Sequence, residues 1–158
     1  MLAQSHPSIA AAAHASALSR GGRFRMGLFA FSALALLAVA AWLTPAAGGM
    51  GTHTQLGIPA CTWPTTLGLP CPSCGMTTAF ALAADGRLID SFLAQPFGCL
   101  LAIATAAFVV VAGYATVTGS QLVAALFKSV SGVGWWLVGA TLLLSWGYKI
   151  VESRGGFS

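Results

Sequence analysis

The sequence predicts an all-α integral membrane protein with three transmembrane helices and, in the loop between the first two, one or two short interfacial helices. Three observations lead there. Apolar residues make up 57% of the 158-residue chain and charged residues only 6%, against roughly a quarter charged in soluble domains. Three stretches of nearly uncharged residues each approach the roughly 20 that a helix needs to cross a bilayer. The last of them carries Trp135 and Trp136 towards one end and Trp146 and Tyr148 towards the other, the placement of aromatic belts at headgroup level.

Residues 1–25, rich in Ala and Ser and holding His6 and His14, have no sustained apolar period and read as a flexible basic tail. Span one, 26–44 (MGLFAFSALALLAVAAWLT), is uncharged throughout. A cleaved signal peptide fits it less well, because such apolar cores run about 7–15 residues. Arg20, Arg23 and Arg25 precede this span, and basic residues beside an apolar run stay in the cytoplasm. That places the N-terminus in the cytoplasm and turns the loop 45–95 outward. Three spans then leave Lys149 and Arg154 outside and only Lys128 inside, so the orientation rests on span one.

Within the loop, Met76, Phe80, Ala84, Leu88 and Phe92 recur every fourth residue, an apolar helical stripe with Thr78 off it. Asp85-Gly86 is a turn signal that divides the stripe into two short helices. Span two, 97–117, follows Pro96, whose fixed φ suits a first helical turn. Span three is 130–150; its glycines at 132, 134 and 139 read as packing positions. A short tail, 152–158, closes a single membrane domain at 26–151. The net charge of +4 comes from scattered basic residues, which argues for membrane orientation and against nucleic-acid binding. The expected surroundings are the lipid bilayer and either a membrane-protein partner or further copies of the chain.

Chemistry concentrates in LGLPCPSCGMTTAFALAADG at 67–86. The run C-P-S-C-G-M-T from Cys71, an upstream Cys61, and the later DGRL and AQPFG resemble an uncharacterised family of small bacterial multi-span membrane proteins. Its pattern is approximately C, spacer, G-x-P-C-P-x-C-G-x-T-R, a short helix, G-D and N-P-L. The positions Pro70, Pro72, Gly75, Thr77, Gly86 and Pro96 carry the structural part of that likeness. This chain departs from it at Thr78 in place of Arg, at Gln95 in place of Asn, and at Asp85-Gly86 in place of Gly-Asp. The resemblance implies an architecture and a focal point but no reaction.

Read from its residues, the motif places Pro72 at the first position of a helix capped by Cys71, with two thiols one turn apart and Cys71 at the positive end of the dipole. Three readings stay open. In the leading one the cysteines and prolines stiffen a loop that docks on the bundle, in a structural or interaction component of a membrane assembly. In the second, C-P-x-C-G resembles a zinc knuckle, with Cys61, Cys71, Cys74 and His53 as the ligand set. In the third, Cys71 and Cys74 are a thiol–disulfide pair. Cys99 reads as packing. Deep in the spans no ionisable residue marks an ion pathway.

Overall fold

The computed structural model describes residues 18–120 and 132–155. Among them every regular element is helical: α1 (Arg20–Trp42), a 3-10 helix (Thr52–Leu56), α2 (Trp63–Leu67), α3 (Met76–Ala84), α4 (Leu88–Ala94), α5 (Pro96–Thr118) and α6 (Gly132–Ser153). The loop between the first two long helices thus holds four short helical pieces, more than the sequence suggests. Two helices, α1 and α5, are long and apolar enough to cross a membrane, where the sequence predicts three. The third predicted span is a helix of 22 residues, but Lys149, Glu152, Ser145 and its aromatic and glycine residues dilute its apolar character. Residues 1–17 of the expected N-terminal tail, Lys128, residues 130 and 131 of that span and residues 156–158 lie outside the described residues.

Helix α1 begins at Arg20, so the basic cluster expected in the tail forms its first turns. Ser19 caps it, its Oγ accepting from Gly22 N at 3.1 Å, which satisfies one of the unpaired donors of a first turn. Arg23 reaches across and donates from Nε to Thr116 O at 2.8 Å and from Nη2 to Val117 O. One guanidinium therefore closes the C-terminal end of α5, where carbonyls lack helical partners. Between the two helices, Ala112 and Ala115 are fully buried beside Met26, Ala30 and Phe108. Small side chains let the backbones approach closely.

The other end of this pair is filled by α3, which packs against α1, α4 and α5. Phe80 joins Ala40 and Ala102 in one cluster, with Met76 and Leu37 against it. The expected stripe holds only in its first half. Ala84, Leu88 and Phe92 are exposed, because Gly86, at φ 76°, ends the helix and re-aims the chain. Helix α4 docks instead through Ala94 and through Ser91, whose Oγ donates to Ala79 O at 2.7 Å. Thr78, expected off the buried face, is 1% exposed. Its hydroxyl lies 2.8 Å from that of Thr52, which also accepts from Ala46 N at 3.0 Å. The reason is that α3 is covered on more than one side.

Helix α6 meets the loop through polar contacts. Ser145 Oγ accepts from Phe97 N at 3.1 Å, Trp146 Nε1 donates to Pro70 O at 2.9 Å, and Tyr148 OH donates to Leu93 O at 3.0 Å. Lys149 is 2% exposed, with Nζ donating to Ala94 O at 3.0 Å and paired with Glu152 at 2.7 Å. Its ammonium is thus hydrogen-bonded and charge-paired, which a buried cation requires.

Candidate metal centre

Three cysteines meet at the face of α3 turned towards the end of α1. The Sγ atoms of Cys61, Cys71 and Cys74 all lie within 4.8 Å of one another, with Cys71 and Cys74 at 3.0 Å. Cys61 arrives from the residue pair just before α2, ten positions upstream of Cys71, so its approach is a tertiary feature. His53, expected as a fourth ligand, lines the same cavity but is not grouped with the sulfurs; its Nε2 lies 3.3 Å from Pro59 O. Cys99 is buried apart from the cluster, its Sγ near Leu88 O at 3.7 Å.

The segment 71–75 is a turn and not the helix start that the sequence suggests. Cys74 N donates to Cys71 O at 3.0 Å and Met76 N to Ser73 O at 3.1 Å. Helix α3 opens only at Met76, with Gly75 as its N-cap at φ 87°. A Cβ at residue 75 would stand 2.9 Å from Gly49 O and 3.1 Å from Ala94 O. The chain passes between two other backbones there, in a conformation that glycine alone adopts freely. Cys71 accordingly sits a turn ahead of the helix, and the dipole argument for its acidity does not apply.

The turn is held from outside by its carbonyls. Pro70 O accepts from Trp146, and Pro72 O accepts from Gln95 Nε2 at 3.2 Å. The same Gln95 side chain turns its Oε1 to Gly98 N at 2.6 Å, capping α5 beside Pro96 in its first turn. Gln95 is fully buried, and sequence reasoning passed over it and over Trp146 as site residues. The N-cap position just before a proline was the available signal for the first; nothing local pointed to the second. Thr77 lines the cavity and Gly86 lies at the α3–α4 turn, away from the sulfurs.

The two thiols of the turn differ in acidity. Burial works against ionisation of Cys71, but hydrogen bonds with Cys74, Ser73 and Cys61 outweigh it and bring the thiol below its ordinary value of 9.0. Burial first and Cys71 second push Cys74 up to about 12. Cys71 therefore gives up its proton more readily than Cys74.

As a donor set, the cluster suits a soft or borderline cation. A zinc ion bound at about 2.3 Å holds tetrahedral sulfurs about 3.8 Å apart, inside the 4.8 Å spread of the three atoms. The Cys71–Cys74 pair, at 3.0 Å, would have to open to reach that spacing.

Among the described residues the chain is therefore all-helical, with two bilayer-length helices and a three-cysteine centre in the segment that joins them. The family model described as Protein of unknown function (DUF2752) matches residues 61–109. The matched segment starts at Cys61 and runs through the cysteine turn, α3, α4 and the first half of α5. No curated protein and no solved structure matches the chain.

Proposed function

We propose that this is a small integral membrane protein whose loop binds one soft divalent cation, zinc being the best fit, through Cys61, Cys71 and Cys74. The observation that carries the reading is the convergence of a third sulfur. Neither a thiol–disulfide pair nor a loop merely stiffened by proline calls for Cys61 to fold back onto Cys71 and Cys74, whereas a metal site does. With three protein thiolates the fourth position is open to water, to a ligand or to a partner. The protein works as a binding component of a membrane assembly, alone or with further copies of itself.

Helices α1 and α5 cross the bilayer in this reading, and α6 is seated on the loop by its polar contacts. Helix α4 lies at the interface, since Leu88, Ile89, Phe92 and Leu93 are 47–78% exposed and an apolar face of that kind suits the headgroup boundary. Arg20, Arg23 and Arg25 stay in the cytoplasm of a bacterial inner membrane and the cysteine loop faces out.

The test is metal analysis with thiol counting on detergent-purified protein. One equivalent of metal is expected, with all three thiols protected, and Cys61→Ser should remove it as fully as Cys71→Ser. Because the ligands must be deprotonated, retention should fall as the pH is lowered from about 8 to about 6. A second reading, thiol–disulfide exchange, is favoured by the 3.0 Å Cys71–Cys74 approach and by their unequal acidity. It requires a mass two hydrogens lower, indifference to Cys61→Ser, and faster alkylation of Cys71 than of Cys74 after reduction.

A further inference from the structure

Beside the sulfur cluster lies a cavity of about 640 Å³, within the size range of ligand pockets. Its lining is of two kinds. Cys61, Cys71 and Cys74 line it with a few further polar side chains, Ser73, His53, Thr77 and Thr78; most of the remainder is apolar, with Leu36, Val39 and Leu43 of α1, Leu101 of α5, and Met50 and Phe80 among its walls. Among the described residues no Lys, Arg, Asp or Glu lines it. Leu36 and Val39, on the wall supplied by a bilayer-length helix, are 53% and 41% exposed, so that wall borders the surface where lipid would lie.

We propose that this cavity binds one uncharged, membrane-soluble amphiphile, its hydroxyl or carbonyl head at the sulfur cluster and its apolar body along α1. The placing of the head rests on the metal reading above; the apolar part does not. Three thiolates around a divalent ion carry a net negative charge, so an anionic head would be desolvated against like charge, and an ammonium head has no lone pair to give the ion. A neutral oxygen can fill the open fourth position of a three-thiolate ion, the place that water or substrate takes in open zinc sites. The apolar walls remove the remainder of the molecule from water or lipid by shape. Two sources share this chemistry, a glycerolipid with a free hydroxyl and an isoprenoid quinone.

The test uses the full chain in phosphatidylcholine vesicles, with a diazirine-bearing diacylglycerol in one arm and a diazirine-bearing isoprenoid quinone in the other. Photolabelling should fall on Val39, Met50 and Leu101 and be displaced by the unlabelled form of at least one compound; which one competes identifies the source. Val39→Trp and, separately, Leu36→Trp should reduce the displaceable labelling several-fold while metal content stays at the wild-type level. Cys61→Ser should lower it as well, by removing the ion that meets the head. Metal bound with only non-displaceable labelling, spread over outer positions such as Phe29 and Val110, overturns the proposal and leaves the metal centre standing. Displaceable labelling at Val39 in protein that never holds metal supports the apolar site and rejects the metal centre. Unchanged labelling in both tryptophan variants at full metal content also overturns the proposal.

Discussion

Gly75 is where the cysteine turn, the loop at Gly49 and the end of α4 come closest. Its φ of 87° is shared in kind by Gly86, at 76°, but a Cβ at residue 86 meets nothing within 4 Å, while one at 75 meets two backbone oxygens. Both alanine variants should lose the roughly 1–3 kcal/mol that an unfavourable backbone conformation costs. Gly75→Ala should lose clearly more and should also release metal. Chemical denaturation in detergent compares them, and equal midpoints would mean that the three backbones do not meet at residue 75. Thr78 gives a second prediction. From the stripe alone a carboxylate there should do much less damage than one at Phe80, yet both side chains are buried, at 1% and 7% exposure. Thr78→Asp and Phe80→Asp should therefore open the loop to protease to a similar degree, an unpaired buried carboxylate costing several kcal/mol or forcing undocking. Protease resistance in Thr78→Asp alone would restore the simple stripe. The stripe failed as a guide because periodicity describes one covered face, and α3 is covered on several.

At the scale of elements, α6 is the piece whose role is least visible in its own sequence. Its four polar contacts reach residues 70, 93, 94 and 97, the carbonyls and amide that flank the cysteine turn and the α4–α5 junction. Trp146→Phe keeps an aromatic ring, though a smaller one, and removes the donor to Pro70 O. We expect faster alkylation of Cys71 and Cys74 in metal-free protein and weaker metal binding, towards the lower end of the about 10–100-fold that supporting groups contribute at metal sites. A variant with wild-type alkylation rate and metal affinity would reduce that contact to packing. The start of α3 belongs to this scale too. Pro72 is compatible with a first helical turn, but the backbone at Gly75 must pass under two carbonyls, and that tertiary demand moves the helix start to Met76.

For the whole molecule, the prediction concerns which side of the membrane the loop faces. Arg20, Arg23 and Arg25 are the first turns of α1, and Arg23 is tied to the end of α5, so the basic end of the helix pair is one structural unit. A membrane-impermeant thiol reagent applied to intact cells, after reduction and metal chelation, should label Cys71. Labelling that appears only after permeabilisation would invert the orientation and place the thiols in a reducing compartment.

The helical class, the two apolar helices and the residues 71–77 as the focal point follow from composition, uncharged length and local spacing, since each is a property of contiguous residues. Gln95 and Trp146 as clamps on the cysteine turn, the burial of Thr78, the cavity beside the sulfurs and the approach of Cys61 to Cys71 and Cys74 do not. Each joins segments separated along the chain by ten to some seventy-six residues, and which distant groups meet is decided by how α3 seats between α1 and α5. The local pattern offered His53 as readily as Cys61 for the cluster. Only the folded loop, with Cys61 brought to within 4.8 Å of the other two sulfurs and the His53 imidazole set against Pro59 O, distinguishes them.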